Sequence, residues 1–115
     1  MKLPKTDFPK AKRAAIAVSK KIHKDLNVDT KKIYVRLNER QYYDAIIVVP
    51  VRKFVSKRFL TAYSIVNHVK EKVNTKKFDI RIIFMANSKN INEKLLCADG
   101  YVHKYKDNKW GKINL

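Results

Sequence analysis

Residues 101–110, YVHKYKDNKW, set Tyr101, His103 and Tyr105 at alternate positions, with Val102, Lys104 and Lys106 between them and Trp110 just past Asp107–Asn108. Read as a strand, this spacing puts the rings on one face and the lysines on the other. Rings interleaved with ammonium groups suit single-stranded nucleic acid, whose bases stack on aromatic faces while its phosphates meet lysines. Tyr105 and Trp110 are then the candidate stacking residues, and Lys104, Lys106 and Lys109 the candidate phosphate contacts. A structural role competes with this reading, because Tyr, Trp and His also fill partly exposed core edges and edge lysines discourage aggregation. His103 opens a third option, the general acid or base of a compact ribonuclease. That chemistry needs a second titratable group, such as Tyr105, and a lysine near the phosphate; no motif fixes them.

Two further places carry cations and hydroxyls together. VPVRKFVSKRF follows one apolar run and MANSKNINEK follows another, and each leads into a helix start. Helix N-termini attract phosphate. The candidates there are Arg52, Lys53, Ser56 and Lys57, then Ser88 and Lys89. Neither loop contains glycine, so a Walker-type cradle, a dinucleotide fingerprint and the GxxG loop of KH domains are all excluded. Contact with a polymer backbone needs no such glycine. Ordinary helix capping is the competing explanation. Paired-carboxylate chemistry has little to draw on: Asp44 and Asp79 each open a strand, at the end of the sheet opposite to where sites of such units form.

The elements that would position these residues follow from periodicity. Residues 9–26 have an apolar stripe at Ala11, Ala14, Val18, Ile22 and Leu26, with Pro9 in the first turn and Arg13, Lys20 and Lys24 together on the opposite face. KKIYVRL alternates Ile33, Val35 and Leu37 inward with Tyr34 and Arg36 outward. The run at 45–49 lacks alternation and predicts a central strand covered on both faces, ended by Pro50. A second helix is expected over 53–74, with Val55, Phe59, Ala62, Val66, Val69 and Val73 as its stripe and His68 on its polar face as a surface histidine. FDIRIIFMA predicts a third strand, parallel to the second if a right-handed crossover joins them. A short helix over 89–97 with Ser88 as N-cap follows. Gly100 turns the chain, DN at 107–108 is a two-residue hairpin turn, and Gly111 marks a bulge. The expected fold is a single two-layer α+β domain over residues 1–115, in the order αββαβαββ, with a mixed sheet and helices packed largely on one face.

The charge decides between function classes. The 115 residues include 27 Lys and Arg against 10 Asp and Glu, a net +17. Residues 1–32 carry ten basic and three acidic side chains and residues 52–77 carry eight and one, whereas 33–51 and 78–88 are each neutral. The excess therefore lies on helices and on the C-terminal segment around a neutral sheet. Such self-repulsion is explained by an anionic partner. With Cys97 as the single cysteine, no intramolecular disulfide or cysteine metal framework forms, which suits a reducing compartment. No signal h-region or membrane span is evident, so a cytoplasmic protein is expected. The reading is a small basic nucleic-acid-binding protein acting through phosphate contacts, without catalysis, metal or cofactor. The alternatives are a regulatory protein docking on a nucleic-acid-processing enzyme or ribonucleoprotein, such as a polymerase, tRNA synthetase or ribosome, and a toxin-like ribonuclease. RNA versus DNA, strandedness and oligomeric state stay open.

Overall fold

The computed structural model describes residues 7–87 and 91–113. Helix α1 (Phe8–Leu26) begins with Pro9 in its first turn and ends on Asn27 in the left-handed conformation, φ 54°. Its buried stripe is Ala11, Ala14, Ala15, Val18, Ile22 and Leu26, and the three alanines let the helix axis approach the sheet closely. Strands β1 (Lys32–Leu37) and β2 (Tyr43–Val49) form an antiparallel pair. Every residue of β2 is buried, as its unbroken apolar run requires.

Pro50 ends β2, and a single turn of helix, α2 (Val51–Phe54), starts at once. A 3₁₀ turn (Lys57–Leu60) then leads into α3 (Thr61–Val73). The uninterrupted helix expected over 53–74 is thus broken at Val55–Ser56. Ser56 supplies the reason: its backbone is extended, ψ 147°, and its hydroxyl donates to the Lys53 carbonyl at 2.7 Å, so a local side-chain bond replaces helical continuation. Val55, assigned to the buried stripe, is instead 73% exposed.

Strand β3 (Ile80–Ala86) pairs parallel with β2. Helix α4 (Glu93–Ala98) starts later than expected, because the Asn92 side chain caps it by accepting from the Lys94 and Leu95 amides; Ser88, the expected cap, lies outside the described residues. Gly100, at φ +95°, closes α4: its N–H donates to the Cys97 carbonyl and that of Tyr101 to the Leu96 carbonyl. Strands β4 (His103–Lys106) and β5 (Lys109–Lys112) form the terminal hairpin. Asp107 and Asn108 both have positive φ, 54° and 62°, the signature of a type I′ turn. Gly111 pairs directly with Lys104 in an unbroken register, so the bulge expected there is absent.

The sheet order is β3-β2-β1-β4-β5, parallel between β2 and β3 and antiparallel elsewhere. One face carries α1 and α3 over the main core, which includes Ile22, Ile33, Val35, Ile47, Phe59 and Ile80. The other face has a smaller apolar cluster of Tyr34, Ile46, Val48 and Tyr101, against which Leu96 of α4 packs. This second cover corrects two expectations. Tyr34, assigned to the solvent side of β1, is fully buried, with its hydroxyl donating to Glu93 at 2.5 Å. Tyr101 precedes β4 and lies in this smaller cluster, on the face opposite His103 and Tyr105. The two-layer α+β class stands as read from the sequence, and so does the element order except that the second helix is divided into α2 and α3.

Candidate nucleic-acid interface

Strand parity builds a cationic groove. Tyr105 lies opposite Ile33, whose side chain belongs to the main core, so Tyr105 faces α1. The type I′ turn brings Trp110 opposite Tyr105, and their rings pack at 5.1 Å between centroids. Trp110 therefore reaches the flank of α1, where Lys12 Nζ sits 5.2 Å from its ring centre. Between helix and hairpin lies a groove of about 550 Å³ lined by Pro9, Lys12, Arg13, Ile16, Ala17, Lys20 and Trp110. Its floor is apolar, its rim holds three cations, and no carboxylate lines it. Flat rings can lie on such a floor while phosphates meet the rim.

Two of the sequence candidates on α1, Arg13 and Lys20, thus meet Trp110 in one place. Lys24 is exposed in the last helical turn, where a cation favours the helix C-terminus. Lys106 and Lys109 oppose each other across the hairpin and both are exposed. Like charges directly opposite in a strand pair are destabilising, and nothing acidic is paired with either among the described residues. Lys104 has a different environment. It faces α4, with Nζ 2.9 Å from the Glu93 carboxylate that also accepts the Tyr34 hydroxyl. Burial pushes the Glu93 pKa up, but the bonds from Tyr34 and Lys104 outweigh it and hold the carboxyl below its usual range. Lys104 is thereby engaged inside the fold.

A second acid-free groove, of about 410 Å³, lies beyond the C-terminal end of α1 and is lined by Leu26, Val28, Arg52, Lys53, Ser56, Arg58 and Phe59. Arg52 and Lys53 stand here as cationic side chains, with Lys57 exposed nearby in chain. Free helix-start amides were expected to help; in fact the Lys53 and Phe54 N–H groups both donate to the Pro50 carbonyl, and Val55 and Ser56 N–H groups are also used within the turn. Only the Val51 and Arg52 amides, at the very start of the turn, have no backbone acceptor among the described residues, so an anion here would meet them and the neighbouring cationic side chains. Lys89, the remaining candidate, lies outside the described residues.

The carboxylate at the head of β2 is structural in its surroundings. Asp44 is only 3% exposed and accepts from Arg36 Nε and Arg81 Nε, each at 2.9 Å, and from Asn38 Nδ2 at 3.2 Å. Burial raises its pKa, and these three donors more than reverse that, holding the carboxyl below its usual range. Each guanidinium also rests on a ring, Arg36 on Tyr101 and Arg81 on Tyr42. Asp79, which precedes β3, accepts from Asn74 instead. Among the described residues, no three His, Cys, Asp or Glu side chains gather as a metal site would require. His103 packs on Phe8 at 4.4 Å, and its pKa is lowered first by burial and then by Lys12 and Lys112. Lysines stand near this imidazole, but no second acid or base shares a hydrogen bond with it among the described residues. His68 is exposed, as expected, in a groove with Lys21 and Lys72 between α1 and α3.

Sequence reading missed Lys12, Ile16 and Ala17 as groove residues, since their role depends on the hairpin docking beside α1. It missed Arg58 too, whose guanidinium reaches the Asp25 carbonyl at 3.3 Å. Among the described residues, no helix is long and apolar enough to cross a membrane. Compared with protein-family models, curated proteins and solved structures, the chain matches none.

Proposed function

We propose that this chain is a small basic protein that binds nucleic acid through its phosphate backbone and performs no catalysis. The observation that carries this reading is the groove between α1 and the hairpin, where Lys12, Arg13 and Lys20 rim an apolar floor beside Trp110 with no acidic residue among them. A surface built only for solubility mixes both signs of charge; the lining of this groove carries cations alone. The unrelieved opposition of Lys106 and Lys109 points the same way, because a polyanion lying across the hairpin would relieve it. Affinity comes mainly from neutralising phosphates, with Trp110 adding contact to a base. The absence of cysteine pairing suits a reducing, cytoplasmic setting. Fluorescence anisotropy with labelled RNA and DNA oligomers across a salt series tests the proposal: affinity falls steeply with salt if it holds, and a flat dependence or no binding near physiological salt overturns it.

One observation supports a second reading, docking on an acidic surface of a nucleic-acid-processing protein. Val55 and Leu60 are 73% and 68% exposed, close in chain to Arg52, Lys53, Lys57 and Arg58. Apolar side chains within a cationic rim suit a protein partner. Copurification with and without nuclease treatment separates the two readings, since a protein partner retained after nuclease favours docking.

A further inference from the structure

We propose that β3 is a self-pairing edge, through which two copies of this chain join their sheets about a two-fold axis at Ile83. The proposal starts from backbone hydrogen bonding. The Asp79 carbonyl accepts from Tyr43 and the Asn87 amide donates to Val49, so odd-numbered residues of this strand direct their backbone groups to β2. Alternation then turns the N–H and C=O of Ile80, Ile82, Phe84 and Ala86 to the outer edge. The Asn74 side chain takes the Ile80 amide. No described residue bonds the edge groups of Ile82, Phe84 or Ala86.

Proteins that keep such an edge single protect it with lysine, proline, a bulge or a short strand. The other edge of this sheet follows that rule: β5 has four residues, with lysine at both ends. Strand β3 has none of these devices. It is seven residues long, without proline or glycine, and its one charge, Arg81, is bound to Asp44. Apolar side chains flank the edge on both sheet faces. Ile83 is 52% exposed on the α4 side, and on the helix side Phe84 packs beneath Tyr63, itself 48% exposed.

Charge selects the occupant. A chain of net +17 repels a second copy over most of its surface. Residues 78–88 are neutral, and Thr61–His68 of α3 contain no Lys, Arg, Asp or Glu. Over these two segments, two copies can meet without apposing net charge. The partner must supply an extended strand that is apolar on both faces, and β3 itself meets the requirement. Antiparallel pairing centred on Ile83 sets Ile82 opposite Phe84 of the second copy, which unites the free edge groups in hydrogen-bonded pairs. Ile83 then faces its own counterpart at a non-hydrogen-bonded position, with the two Cα atoms about 4.5 Å apart. Because this axis is perpendicular to the sheet, both α1 helices lie on the same side of the joined sheet.

Sedimentation velocity and light scattering on nuclease-treated protein over a micromolar concentration series give the first test, and a species of twice the chain mass is expected. Ile83→Lys apposes two ammonium groups on the axis and weakens association by at least about tenfold, with the circular dichroism spectrum retained. Lys109→Glu, at the opposite edge, leaves the dimer intact. Should Ile83→Lys fail to fold, Ile83→Cys in a Cys97→Ser background decides. The Cα separation lies within disulfide range, so mild oxidation is expected to give a covalent dimer that reductant reverses. A wild-type chain that stays monomeric throughout the series, or a dimer in which Ile83→Cys does not crosslink, overturns the proposal.

Discussion

Lys12 Nζ lies 5.2 Å from the centre of the Trp110 ring, so helix α1 and the terminal hairpin meet through a cation resting on an aromatic face. The two residues are at opposite ends of the chain, and the groove they border exists only because the hairpin joins the sheet beside β1.

Replacing Lys12, Arg13 and Lys20 together with Gln removes the cationic rim without adding acids. If each meets a phosphate, the slope of log affinity against log salt becomes shallower by about 2 to 3, at roughly 0.7–0.9 for each phosphate no longer neutralised. An unchanged slope in the anisotropy series would place the interface elsewhere.

Trp110 is partly buried against Tyr105 and also borders the groove, so Trp110→Ala has two consequences. Thermal or urea unfolding is expected to show a loss of about 2–3 kcal/mol, less than for a fully buried ring. Single-stranded binding weakens by about 1–3 kcal/mol if a base stacks there. Trp110→Phe separates the effects, since it retains most of the packing. As the only tryptophan, Trp110 also reports contact directly, through quenching of its fluorescence by added oligonucleotide.

Asp44→Asn leaves Arg36 and Arg81 facing a neutral group, and a stability loss of about 1–3 kcal/mol is expected from the weakened buried hydrogen bonds. The pH dependence carries the sign. The folded pKa of Asp44 lies below its ordinary 3.8, so its contribution is fully present above that value and is lost as pH falls through the lower, folded one. The mutant should therefore show a shallower stability decline in acid. Glu93, also lowered, maintains part of that decline.

His103 acts in a different window. Its folded pKa is depressed below 6.5 by burial and by Lys12 and Lys112. The neutral imidazole is favoured in the fold, so stability is present above 6.5 and falls as pH drops through the folded value. His103→Phe, which retains a ring against Phe8, should flatten the melting temperature between about pH 7 and pH 5. The same variant tests catalysis: no RNA cleavage is expected from wild type or mutant, and wild-type cleavage lost in the mutant would establish the ribonuclease reading instead.

Much of the fold was legible because periodicity encodes burial. The stripe from Ala11 to Leu26 marked α1, the unbroken run at 45–49 marked a strand covered on both faces, and the DN pair marked the hairpin turn. Each depends on residues within a few positions of one another, where backbone geometry alone relates side chains. Even the parallel pairing of β2 and β3 matches what a crossover through the intervening helical segment would give. What local pattern could not supply was the neighbour on each face. Tyr34 alternates like a solvent-facing residue and is buried only because α4 returns across it; Lys104 looks like a surface cation and is bound to Glu93, eleven residues earlier in the chain, only because α4 and β4 meet. Arg13 and Lys20 were visible as charges, but their union with Trp110 in one groove required β4 to pair with β1. Sequence by itself determined which residues seek burial and how charge is distributed; tertiary structure decided which of them meet, because contacts between distant segments depend on how whole elements pack.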